Sequence, residues 1–159
     1  MINTDKCQIC GRKLNVHSDP LSDDCGGDCW GCIGEMEADM DCEQTLEMVI
    51  EEYKKGFRPD WIPRPKVKFT HSKNSKFYLD ATFLNPLMEP YSNQEIDVQI
   101  SIWSKHKRVK SVFNDTVFTD KDGKIEQYFE LPQSKRNQTP YFEVHYENKY
   151  WGFPIIDYD

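Results

Sequence analysis

The sequence has no Lys or Arg between Leu14 and Tyr53, no cysteine after Cys42, and no apolar run near the ~18–20 residues of a membrane span. It also has no glycine-rich phosphate loop, no nucleophile elbow and no pair of histidines at metalloprotease spacing. These gaps exclude the familiar short-motif enzymes and a helical membrane protein, and the reading is non-catalytic. The opening Met-Ile-Asn-Thr-Asp-Lys lacks a basic segment followed by an apolar one, which is the reading expected of a cytoplasmic chain. His71, His106 and His145 are scattered, and none is paired by spacing with a serine or cysteine nucleophile. Asp120-Lys121-Asp122-Gly123-Lys124-Ile125 reads as a hairpin turn and not a calcium loop: with its glycine at the required turn, Phe118 and Phe129 fall at the first and last ligand positions.

What is present is unevenly placed. The stretch without basic residues holds twelve acids, leaving 15 acids against all 20 basic residues elsewhere, so a net charge of −7 divides into an acidic N-terminal part and a mildly basic remainder. An acidic field repels phosphate backbones and attracts basic surfaces. Five of the six cysteines lie in residues 1–34 with little apolar periodicity, the pattern of a segment held by metal in place of a core. Cys7-Gln8-Ile9-Cys10-Gly11 and Cys29-Trp30-Gly31-Cys32 are two pairs at the spacing of structural zinc ligands, with eighteen residues between them. Cys7, Cys10, Cys29 and Cys32 are therefore the expected Zn2+ ligands, with Cys25 and His17 as alternative donors. Cys42 reads as a small buried thiol inside a helix. Disulfides are disfavoured by the crowding of all six cysteines before residue 43 and by the missing export signal.

Periodicity divides the rest. Met36, Met40, Leu46, Val49, Ile50 and Tyr53 recur at helical spacing from Glu35 to Lys55, with Gly56 as a C-cap, predicting one amphipathic helix with an acidic outer face. Pro59, Pro63 and Pro65 predict an ordered linker over 57–65. Beyond it the period becomes two, at 67–69, 77–84, 96–103, 117–118, 125–131, 141–146 and 150–156, broken by turn signals at Lys121-Asp122-Gly123 and Glu147-Asn148-Lys149. The expectation is an α+β chain with a zinc-binding module carrying the acidic helix over 1–56, the linker over 57–65, and an antiparallel β-sandwich over 66–159.

Two resemblances refine this. The order of knuckle, connecting segment and second pair at a helix N-terminus resembles the treble-clef class of zinc fingers over residues 7–55, which implies a closed structural site. Around Phe118-Thr119-Asp120-Lys121-Asp122-Gly123-Lys124-Ile125, where a strand ends, turns and returns, the remainder resembles immunoglobulin-like and transthyretin-like bacterial modules; that implies architecture alone. In type the whole chain resembles bacterial toxin-immunity proteins, being small, acidic and free of catalytic motifs. The expected function is non-catalytic binding of a basic protein partner, such as a cognate toxin, through Glu35, Glu37, Asp39, Glu43, Glu47 and Glu51, with Trp30, Trp61 or Trp103 as anchors. No membrane partner is expected. Nucleic acid is disfavoured, because a carboxylate-coated helix repels phosphate; the alternative of a nucleic-acid-associated or regulatory zinc protein rests on the basic stretch Lys105, Lys107, Arg108 and Lys110.

Overall fold

A computed structural model of the chain describes residues 5–72, 76–131 and 136–156. The first four residues of the predicted zinc module and the last three of the predicted sandwich lie outside the described residues, as does the side chain of His71. The chain divides into two compact units, Met1–Pro63 and Arg64–Asp159.

The first unit holds two helices, α1 (Trp30–Asp39) and α2 (Glu43–Lys54), where the periodicity predicted one. The break is local chemistry. Met40 ends α1 with its N–H shared between the carbonyls of Met36 and Glu37, Asp41 donates to the Ala38 carbonyl and turns into the left-handed region at φ 59°, and Cys42 caps α2. The Thr45 hydroxyl then donates to Glu37 Oε2 at 2.7 Å, tying the start of α2 to the last turn of α1. Cys42 is consequently exposed at a helix cap, not a buried thiol. Met36 and Met40, assigned by spacing to the apolar face, are exposed because the break ends the face they were to continue. Val49 of the predicted face is buried, as are Leu21, Ala38 and Trp61, with Tyr53 edge-on to Trp61 at 6.3 Å.

The proline-bearing stretch belongs to this unit through Pro63, and Arg58 within it is almost wholly buried, its side chain 1% exposed. Its guanidinium donates to Glu52 at 2.6 Å, to the carbonyl of Gly31 at 2.7 Å and to that of Trp30 at 3.2 Å. It also lies 3.5 Å from Glu35 and over the Trp30 ring. The other Glu52 oxygen accepts the Trp30 indole N–H at 2.6 Å. One buried cation thus joins the first turn of α1, the last turn of α2 and the segment after it.

The second unit contains seven strands among the described residues: β1 (Lys66–Ser72), β2 (Lys76–Thr82), β3 (Glu95–Ser104), β4 (Lys107–Phe118), β5 (Lys124–Glu130), β6 (Thr139–Tyr146) and β7 (Lys149–Pro154). They form two antiparallel sheets, β1-β2-β5 and β4-β3-β6-β7. Alternation puts Ile96, Val98, Ile100, Ile102, Phe142 and Val144 on the buried face of the larger sheet and Phe77, Leu79, Ala81 and Ile125 on that of the smaller. Phe69 of one sheet meets Phe142 of the other edge to face at 6.1 Å, closing a sandwich core.

Two strand expectations change. β4 runs twelve residues where alternation marked only 117–118, because it is an edge strand with little burial and its Lys107, Arg108 and Lys110 discourage further pairing. The turn at Lys121-Asp122-Gly123 carries the chain from the larger sheet to the smaller and is not a hairpin. Asp120 organises it by accepting from the N–H groups of Asp122 and Lys124 at 2.8 and 2.9 Å. Glycine is required at 123: its φ is 72°, and a Cβ would stand 2.5 Å from the Phe83 carbonyl oxygen.

Glu143 is the one fully buried carboxylate among the described residues, on the face of β6 opposite the core. It accepts from the Ser101 hydroxyl, from Tyr150 OH at 2.6 Å and from Arg108 at 2.9 Å. Burial works against its ionisation, but these three donors outweigh it and hold the carboxyl below the ordinary glutamate range. A depressed folded-state value means that the stabilising contribution is complete above the unfolded value of about 4.3 and is lost as pH falls through and below it. Acid titration of the β-sheet circular dichroism should show this loss, and Glu143→Gln should flatten that limb of the curve. An unchanged limb would show that Glu143 carries no net proton linkage.

Candidate metal centre

Each cysteine of the two pairs is placed by a separate piece of local structure. In the first, the N–H of Cys7 donates to the Arg12 carbonyl at 2.8 Å, that of Gly11 returns to Cys7 at 2.9 Å, and Gly11 takes φ 75°, folding Cys7 and Cys10 into a tight knuckle. The Cys10 N–H points at Cys7 Sγ from 3.5 Å, the backbone-to-sulfur donation that tempers thiolate charge. In the second, Cys25 N–H donates to the Asp28 carbonyl at 2.8 Å through a turn of two glycines at positive φ, and Cys29 then caps α1. Cys32 follows in the first helical turn, so this pair meets the positive end of the helix dipole. The two pieces are linked by the Gln8 N–H, which reaches Asp28 Oδ1 at 3.0 Å and the Gly27 carbonyl at 3.2 Å.

The result is four Sγ atoms all within 4.8 Å of one another. The Cys7 and Cys32 sulfurs are 3.9 Å apart and those of Cys10 and Cys29 3.6 Å. A tetrahedron with metal–sulfur bonds of about 2.3 Å has edges of roughly 3.8 Å. All six thiols of the chain are free, so no disulfide framework is formed. Cys25 and His17 are exposed and outside the cluster. The set of four is the one named by spacing, and its sulfurs lie close enough together to hold a metal ion.

Burial supplies the remaining logic. Cys7 and Cys29 are buried with Leu14, and Cys32 packs against them. Burial raises the Cys7 thiol, but backbone hydrogen bonds from Cys10, Cys29 and Ile9 override it and bring it down to about 6. Burial pushes Cys29 and Cys32 up. Four thiolates at this separation repel one another, and a divalent cation removes the conflict by deprotonating them together. An ion held by all four thiolates would have no open position for substrate.

The predicted partner-binding acids divide. Glu43, Glu47 and Glu51 form an exposed i, i+4, i+8 stripe on α2, with Glu51 also paired to Lys54 at 2.7 Å. Glu35 faces Arg58, Glu37 accepts from Thr45, and Asp39 is half-buried. Of the three candidate anchors, Trp61 is buried at 2% exposure, and Trp30 and Trp103 are half-buried with their indole N–H groups bonded to Glu52 and Ser101. Arg58 and Glu143 were not found from the sequence. Proline spacing disguised the first as part of a linker, and the second occupies an ordinary outward position in an alternating strand.

No protein-family model matches the chain, and no curated protein matches it. Among the described residues no helix is long and apolar enough to cross a membrane.

Proposed function

We propose that this chain is a zinc-stabilised, non-catalytic protein-binding module of treble-clef type at its N-terminus, acting in the cytoplasm as an immunity protein or inhibitor of a basic partner such as a toxin. The observation that supports it best is the outer surface of the helices. Glu43, Glu47 and Glu51 stand in one exposed row, while Met36, Met40 and Met48 are each more than half exposed on the same pair of helices. Exposed methionines are adaptable apolar contacts, and a row of carboxylates steers a basic protein toward them. Zinc suits the four-thiolate set because sulfur donors in a tetrahedron select it, and its function here is to hold the fold.

The test is Glu43→Lys/Glu47→Lys/Glu51→Lys in a chain co-expressed with a toxic basic protein encoded by an adjacent gene. The triple variant should keep its zinc and its fold, associate more slowly, and fail to protect cells at equal abundance. The deficit should shrink as salt rises, since screening limits exposed charges to about 8 Å at physiological ionic strength. Equal protection by both chains would remove the α2 stripe from the mechanism.

A further inference from the structure

The outer face of the larger sheet carries a cleft of about 580 Å3 at its β3–β4 hairpin end, walled by Trp103, Tyr141 and Tyr150 and rimmed by Lys105, His106 and Asn137. That volume is within the range of small-ligand sites. Its walls are set in place from beneath. Glu143 accepts from Ser101, Tyr150 and Arg108, the Trp103 indole N–H donates to Ser101 Oγ at 2.8 Å, and the Arg108 guanidinium lies 5.5 Å over the Trp103 ring. A fully buried carboxylate on the solvent side of a sheet thus fixes two aromatic walls and a cation in one geometry.

Gly152 forms part of the lining between Tyr141 and Tyr150; a Cβ there would stand 3.2 Å from Tyr150 OH and 3.8 Å from the Tyr141 ring. Glycine inside a strand marks a place where another group approaches the backbone closely. The rim is cationic, and among the described residues the lining contains no carboxylate. Lys105 and His106 form the two-residue turn at φ 46° and 64°, and Lys107 and Lys110 follow on β4, exposed and with no ion-pair partner among the described residues. Edge protection accounts for lysines on β4, but not for aromatic walls held open beside them.

We infer that this hairpin end binds single-stranded nucleic acid, with a base stacked against Trp103 and Tyr150 over Gly152 and the flanking phosphates on Lys105 and Lys107. Stacking on aromatic rings beside a basic rim is the general means of gripping a single strand without reading its sequence. The rim complements phosphate, and the Glu143 oxygens, already occupied, are not offered to a neutral ligand such as a sugar. This inference concerns the second unit and does not depend on the partner of the first.

The test uses the full chain and a fluorescein-labelled ten-nucleotide oligothymidylate, followed by anisotropy from low to physiological salt. Binding should weaken as salt rises. Lys105→Ala/Lys107→Ala, both at exposed positions away from the core, should reduce affinity and make the salt dependence shallower by about 0.7 in log–log slope for each phosphate no longer neutralised. An abasic strand of equal length should bind about tenfold more weakly, and Trp103→Leu with an unchanged circular dichroism spectrum should weaken binding by about as much. Absence of binding at low salt, equal binding of the abasic strand or of polyglutamate, preference for duplex, or an unaffected lysine variant would each overturn the proposal.

Discussion

Replacing Cys7 or Cys32 with serine is expected to remove one bound zinc per chain and, with it, the folded state of the first unit. The four sulfurs converge from two separate loops, and among the described residues the buried cluster around them is Cys7, Leu14 and Cys29 with Cys32 against it, too little apolar surface to hold the loops by itself. In small modules of this kind metal binding contributes on the order of 10 kcal/mol to folding, far more than one methylene or one hydrogen bond. Elemental analysis of the purified variants should find no stoichiometric zinc, and amide exchange across residues 5–40 should lose its protection. Chelation of wild-type protein should reproduce the same loss. Cys42→Ser should keep both metal and protection, because Cys42 is an exposed helix cap outside the cluster. A metal-free chain with full protection in that region would sink the assignment.

Arg58→Met should destabilise the first unit by about 3 kcal/mol or more, the usual consequence of removing one member of a buried ion pair. The guanidinium makes donations to Glu52, Gly31 and Trp30 at once, so its loss leaves a carboxylate 17% exposed and two carbonyls short of a donor. Arg58→Lys should recover little, since a single ammonium cannot reproduce a planar fork with several donors. A second substitution tests the same contact from the other side. Gly34→Ala ordinarily gains about 1 kcal/mol inside a helix. Here a Cβ would lie 2.7 Å from Arg58 Nη2 and 3.2 Å from the Trp30 ring, and the guanidinium is pinned, so the exchange should destabilise. Urea unfolding of the full chain, followed by tryptophan emission with zinc present, measures both. Wild-type stability in Arg58→Met would show that the buried network contributes nothing net.

The four-cysteine cluster was legible in the sequence because the chemistry is short-range: two thiols two residues apart in a glycine-assisted loop offer half a tetrahedron whatever surrounds them. The same holds for the core strands β2, β3 and β6, whose period of two is imposed by one buried face. It failed for β4, since an edge strand exposed on both faces has no alternation to display. It failed also for the helix, where the apolar spacing runs through Asp41 without registering that a left-handed residue divides it.

By itself, then, the sequence determined which four cysteines cluster, the acidic character of the helical region and the antiparallel sheet class, all properties of neighbouring residues. Only the tertiary structure decided that Arg58 is a buried hub, that Glu35 and Glu37 are engaged by Arg58 and Thr45 while Glu43, Glu47 and Glu51 face solvent, and that Glu143 lies beneath an aromatic cleft rimmed by Lys105. Those facts join residues 6 to 42 positions apart, from Arg58 with Glu52 to Ser101 with Glu143. Pattern along a chain reports which face a residue occupies; it does not report which distant side chain shares that face, because the sheet register and helix packing that bring them together are set by the whole core.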